Sequence, residues 1–200
     1  MLRIGYIGVP GAGKTTTARA VAGSLRSQSK FKTIELVAEY ARVYIHKYGI
    51  DSVYDQVRIM NKQLTEENNF PSTTEVMITD SPIFQGFGYA LELRKEGDPK
   101  DTMIINDLFK EMNKLNEIPR YDIIFHIPPV LEPVKDGVRP PLHFDKKWRT
   151  EADERLRSLF FIFKPRLLVT LESTAIEDRV RESITHINRY NVVTNEANQV

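Results

Sequence analysis

Near the start of the chain, Gly8-Val9-Pro10-Gly11-Ala12-Gly13-Lys14-Thr15 satisfies the pattern G-x-x-x-x-G-K-[ST] at every fixed position. Residues of these types hold phosphate. Glycines let the backbone turn tightly and aim successive N–H groups into a nest for phosphate oxygens. The positive end of a following helix adds to the attraction. In such a loop the lysine, here Lys14, reaches the β- and γ-phosphates, and the hydroxyl of Thr15 helps to hold Mg²⁺. Gly8, Pro10, Gly11, Ala12, Gly13, Lys14, Thr15 and Thr16 are therefore the expected ATP contacts.

A phosphate loop needs partners before it can do chemistry. Two acids stand at the ends of apolar runs: Glu39 after Thr33 to Ala38, and Asp80 after Glu75 to Thr79. Asp80 is expected to hold Mg²⁺, directly or through water, or to take a proton from an acceptor. Glu39 is expected to act as a base or to anchor an acceptor hydroxyl. Phosphoryl transfer also needs cations around the γ-phosphate. Arg139, Arg149, Arg155 and Arg157 are available, with Arg139 and Arg149 as the catalytic candidates. Tyr40, Tyr44, Phe84, Phe87 and Tyr89 lie near two strand ends and offer faces on which a base stacks. Gln63 offers an amide to a base edge, or else faces solvent. His126 and His143 have no partner at metal-ligand spacing and read as structural.

Other motifs narrow the class. A GTPase needs N-K-x-D, and neither Asn61-Lys62 nor Asn113-Lys114 is followed by that Asp. AAA+ and helicase-type ATPases place Glu after the strand-end Asp, whereas Ser81 and Pro82 follow Asp80 here. The L-S-G-G-Q signature of ABC ATPases is absent. What remains is the pattern of a small kinase, expected to pass phosphate from ATP to a hydroxyl or phosphate of a nucleoside, nucleotide or related small molecule.

These residues need elements to position them. Leu2 to Ile7 reads as a strand and Thr15 to Leu25 as a helix, the context a P-loop requires. Thr33 to Ala38 is a second strand. A helix follows from Tyr40 to Tyr48 and stops at Gly49. Asp51 or Ser52 caps a helix carrying Val53, Val57, Met60 and Leu64 on one face. Glu75 to Thr79 is a third strand. Ser81-Pro82 reads as an N-cap and first helical position, opening a helix through Arg94. Asp101 is the expected cap of the next helix, with Ile104, Leu108, Met112 and Leu115 inside. Tyr121 to Ile127 is a fourth strand, apolar enough to be covered on both faces. Residues 128–157 form the expected lid, in which Thr150 and Asp153 look like a capping box. Arg166 to Thr170 is a fifth strand, Ser173 to Ile187 a last helix, and 195–200 an expected mobile end. Alternating strands and helices imply an α/β fold, a parallel five-stranded sheet with helices on both faces and ligands at its carboxyl edge.

The chain of 200 residues suits one domain. Its net charge of +1 provides no global field to attract nucleic acid or acidic membrane. It has no cysteine, which suits a reducing cytoplasm. No apolar run approaches the ~20 residues that span a bilayer, and the first residues run directly into a strand with no expected leader.

With these pieces together, the chain resembles the P-loop kinase group that contains the ribosylnicotinamide kinase domain of a bifunctional NAD-salvage regulator. The resemblance spans about residues 2 to 170. It rests on Gly8 to Thr15, Glu39-Tyr40-Ala41-Arg42, Gln63, Thr79-Asp80, Tyr121-Asp122-Ile123-Ile124 and Asp136-Gly137-Val138-Arg139. It implies that ATP and Mg²⁺ phosphorylate a nucleoside-like acceptor. It carries Glu39 and Arg42 to the acceptor side, Asp80 to the metal and acceptor, and Arg139 to the phosphates. Two rival readings stay open. One is a kinase acting on nucleic acid through Lys135, Arg139, Lys146, Lys147 and Arg149. The other is a regulatory NTPase with no acceptor.

Overall fold

The structure, a computed structural model, describes residues 1–132 and 141–197, the last three of these as backbone alone. Five strands form one parallel sheet: β1 (Leu2–Ile7), β2 (Ile34–Val37), β3 (Val76–Thr79), β4 (Ile123–His126) and β5 (Leu167–Thr170). Their order is β2-β3-β1-β4-β5. β3 and β4 are buried along their whole length, and β1 along its last four residues, because helices cover both faces. β5 lies at an edge and leaves Leu168 exposed.

Seven α-helices surround the sheet: α1 (Lys14–Ser27), α2 (Tyr40–Tyr48), α3 (Val53–Glu66), α4 (Ile83–Leu93), α5 (Pro99–Leu115), α6 (Lys146–Ile162) and α7 (Ile176–Ala197), with a 3₁₀ turn at Pro141–Phe144. Right-handed crossovers place α1 on one face, where it packs with α7. The other face carries α3, α4, α5 and α6, which pack on one another. The connection from β1 runs to β2 on one side, and that from β3 runs to β4 on the other. The crevice of such a sheet therefore opens between the carboxyl ends of β1 and β3. Among the described residues, no helix is long and apolar enough to cross a membrane.

Several helix starts differ from the sequence expectation. α5 is capped by Asp98, whose side chain accepts from Lys100 N–H, with Pro99 at the first helical position. Asp101 is buried instead and accepts from Lys95 N–H at 2.9 Å. α6 begins at Asp145, which caps Trp148 N–H, one turn before the Thr150–Asp153 pair. Thr150 thus lies inside the helix and donates to Lys146 O. α4 begins after Pro82, and Ser81 caps nothing. Its first N–H, on Ile83, donates to the Tyr121 hydroxyl at 3.0 Å. That hydroxyl in turn donates to the Glu67 carboxylate at 2.7 Å. Glu67 is fully buried, and Arg120 pairs with it at 3.1 Å. α7 starts later and runs further than expected, to Ala197.

Candidate active site

Between β1 and α1 the chain makes a tight loop. Ala12 N–H closes a turn on Val9 O. Gly13 caps α1 with φ at 96°, a left-handed conformation that strains any side chain. A Cβ on Gly8 would stand 2.4 Å from Ile127 O, so glycine is needed there for close approach. Gln85 on α4 accepts from Gly8 N–H at 3.2 Å and ties the loop to the opposite helix. Lys14 is buried, and its Nζ donates to Gly8 O at 2.7 Å and Val9 O at 3.2 Å. Thr15 is half-buried and Thr16 exposed on the first turn of α1.

The two acids follow the carboxyl ends of neighbouring strands. Thr79 pairs with Val37 of β2 on one side and with Gly5 of β1 on the other. Glu39 and Asp80 thus leave neighbouring strands, which lie about 4.8 Å apart. Asp80 is buried, and its Oδ1 has no hydrogen-bond partner among the described residues. A buried carboxylate oxygen without a donor is unfavourable, and a bound cation or its water would relieve it. The Asp80 carboxylate therefore has the chemistry of a cation ligand. No group of three or more His, Asp or Glu among the described residues could hold a metal alone. Glu39 precedes α2, but its side chain caps no N–H.

A small cleft with room for about 20 Å³ lies between α3 and α4; its lining includes Glu39, Gln56, Met60, Ser81, Gly86 and Tyr89. The Tyr89 hydroxyl is buried without a partner among the described residues. Burial first, then the charges of Glu39 and Glu92, push its pKa well above that of an ordinary phenol. Tyr89 is therefore a neutral donor at the cleft wall.

One acceptor-side expectation is corrected. Phe84 points into the core, where it stacks on Phe163 with centroids 4.5 Å apart, and it does not line the cleft. Gln63 borders the cleft but is buried rather than solvent-facing. Its amide is engaged internally, accepting from Tyr40 N–H at 3.1 Å and donating to Thr79 Oγ1 at 3.2 Å. Tyr44 and Phe87 are likewise packing residues, Tyr44 donating to Asp55. Arg42 is exposed on α2.

The cations are more constrained than a free lid would have them. Arg149 is buried on α6, and its Nη2 donates to Leu131 O at 2.9 Å. Glu92 of α4 fastens α6 twice, accepting from Trp148 Nε1 at 2.5 Å and pairing with Arg155 at 3.3 Å. His126 at the end of β4 meets Asp153 at 2.8 Å. Lys135 and Arg139 lie outside the described residues.

Sequence reasoning missed Gln56, Gln85, Glu92 and, above all, Arg179. Arg179 sits on the first turn of α7 and is buried against the loop. Its Nη1 donates to Ala12 O at 2.9 Å and its Nε to Ser173 O at 2.5 Å. No local pattern marks it, because the contact joins positions 167 residues apart.

A family model described as an AAA domain matches residues 3–179. The chain belongs to this AAA domain family. The family therefore holds members without the Asp-Glu pair on which the sequence reading had set AAA-type ATPases aside, since Ser81 follows Asp80. No curated protein matches the sequence. In fold, the chain resembles P-loop kinases, as its motifs implied. A crystal structure of NadR in complex with NAD and AMP-PNP superposes with a TM-score of 0.70 at 22% identity, covering 94% of this chain and 49% of that one. The chain thus spans about half the length of NadR. Deoxyadenosine kinase from M. mycoides, with dCMP and dCDP bound, gives 0.64 at 14% identity, covering 94% of this chain and 100% of that one. Thymidylate kinase from Candida albicans gives 0.60 at 13% identity, with 94% and 92% covered. At these identities the likeness establishes the fold.

Proposed function

We propose that the protein is an ATP- and Mg²⁺-dependent phosphotransferase acting on a hydroxyl of a nucleoside-like small molecule, in the cytoplasm. The observation that carries this reading is the unpartnered Asp80 Oδ1 at the end of β3, which lies between β1, the strand that leads into the P-loop, and β2, the strand that leads to Glu39. Mg²⁺ would supply charge neutralisation at the β- and γ-phosphates. Lys14 and the loop N–H groups would cradle those phosphates. Glu39 would accept the proton of the acceptor hydroxyl, whose oxygen bonds to the γ-phosphorus as the bond to the ADP oxygen breaks. Tyr89 would donate a hydrogen bond to the acceptor.

Labelled-phosphate transfer from ATP to a panel of acceptors tests this reading. The panel holds ribo- and deoxynucleosides, nicotinamide riboside, monophosphates, and plain and hydroxymethylated DNA, with Lys14→Ala as control. Label on a nucleoside that is lost in Lys14→Ala supports the proposal. Label on DNA alone favours a nucleic-acid kinase. Phosphate release indifferent to every acceptor points to a regulatory NTPase.

A further inference from the structure

Arg179 is a buried cation without an anion. It is 1% exposed, and among the described residues no carboxylate pairs with it. Its contacts include two backbone carbonyls, those of Ala12 and Ser173, and its Nη2 is buried with no partner among the described residues. The nearby acid on its own helix, Asp178, is engaged with Arg181 and the Ser173 hydroxyl. One turn further along α7, the buried Ser183 hydroxyl faces the buried Tyr6 hydroxyl of β1; neither carries charge at neutral pH.

Burying an unpaired charge is strongly unfavourable, and carbonyl dipoles offset it in part only. A structural tie between two carbonyls needs donors, not a full charge. The position of the guanidinium says where the counter-charge belongs. A Cβ on Gly13 would stand 2.7 Å from Arg179 Nη1, so the missing side chain lets the cation lie directly against the loop. The adjoining residue, Lys14, opens the helix whose N-terminus draws anions. Burial lowers the arginine's pKa.

We propose that Arg179 is a further nucleotide-binding residue, the phosphates held by the P-loop serving as its counter-charge. The proposal rests on the reading that this loop binds a nucleoside triphosphate. Arginine suits the task because its planar fork can keep two carbonyl bonds with one edge and offer the remaining nitrogen to phosphate. It acts from the far end of the chain on a motif that local sequence presents as self-contained.

The test compares binding of ATP, ADP and adenosine to the full chain by calorimetry at fixed salt and Mg²⁺. Wild type, Arg179→Met, Arg179→Gln and Lys14→Ala are measured in parallel, each checked by circular dichroism and thermal melting. Losing one partner of a buried charge pair predicts that Arg179→Met weakens ATP and ADP by roughly 30-fold or more. Adenosine binding should stay nearly unchanged. Arg179→Gln keeps a donor for Ala12 O without the charge and carries the same comparison if the Met variant does not fold. Equal weakening of ATP and adenosine overturns the proposal, because a purely structural tie would act on both. Unchanged ATP affinity in a folded variant overturns it too. If Lys14→Ala weakens ATP binding and the Arg179 variants do not, this proposal falls and the P-loop reading stands. If wild type binds no ATP, both fall.

Discussion

Removing one oxygen from Tyr121 tests how the site is supported from beneath. Tyr121→Phe deletes the hydroxyl that caps Ile83 N–H at 3.0 Å and donates to Glu67 at 2.7 Å. The first loss leaves a buried helix-end N–H without an acceptor, which costs about 1–3 kcal/mol. The second removes a hydrogen bond to a buried carboxylate, worth about 1.5–3 kcal/mol. Burial pushes the Glu67 carboxyl up, while Arg120 and the Tyr121 hydroxyl oppose that shift, so the hydroxyl helps to keep the charge in place. The phenyl ring is retained, so packing against Phe84 survives and no cavity larger than the hydroxyl opens. Together the two losses predict about 3 kcal/mol of destabilisation, or a fall in Tm of about 6–12 °C for a chain of this size. Urea denaturation of Tyr121→Phe, Glu67→Gln and the double variant measures it. The two single changes act on one network, so their effects should overlap by about 1 kcal/mol or more in the double-mutant cycle. A loss below about 1 kcal/mol for Tyr121→Phe, or strict additivity, refutes the idea that one hydroxyl serves both ends.

Three further outcomes follow from the site and its surroundings. Asp80→Asn should lower kcat by about 100-fold or more while leaving ATP affinity nearly unchanged, as isothermal binding and steady-state kinetics would show. In Gly86→Ala the new methyl would lie 2.5 Å from Met60 Cγ and 3.1 Å from Gln56 Nε2. Helix propensity improves by about 1 kcal/mol, but overpacking of about 1–3 kcal/mol falls on the cleft wall. Acceptor KM should therefore rise about tenfold, with ATP KM unmoved and Tm little changed. Hydrogen bonds from Ser52 and Tyr44 hold the Asp55 carboxyl down at about 2, against burial. The unfolded chain then binds the proton first as pH falls, so this contribution is present above about pH 4 and lost toward pH 2. The side chain is 15% exposed, so solvent screening limits it to about 1–2 kcal/mol. Urea midpoints between pH 2 and 6 should fall more steeply for wild type than for Asp55→Asn, and parallel curves would remove Asp55 from the acid response.

The parts legible in the sequence were those written locally. The P-loop is a fixed pattern, and β1, β3 and β4 are apolar runs between breaks, so their existence and parallel order could be read directly. Helix starts were less secure because several acids compete for each. Pro99 at the first helical position marks Asp98 as the cap over Asp101, and Asp145 begins α6 a turn before the Thr150 pattern. Phe84 was misjudged because its neighbour Gln85 holds Gly8, which turns Phe84 about 100° away into the core. Gln63 faced the right way, but Tyr40 and Thr79 already occupy its amide. Arg179 had no local sign. The buried line on α7 is Arg179, Ser183 and Ile187 at four-residue steps, and two of those three are polar.

The bond from Arg179 to Ala12 spans 167 residues, and this bears on how the protein is made. A ribosome adding about 5–20 residues per second would synthesise Arg179 roughly 10–30 s after the P-loop. During that interval the nascent chain carries an intact G-x-x-x-x-G-K-T motif without the guanidinium from α7 or the Ser173 carbonyl that holds it. If Arg179 completes the nucleotide site, ATP, though abundant in a cell, would begin to stabilise the fold only as synthesis reaches α7. A message cut short upstream of residue 179 would yield a recognisable motif with a weakened site. Stalled nascent chains of graded length should then show a step in nucleotide capture as α7 emerges.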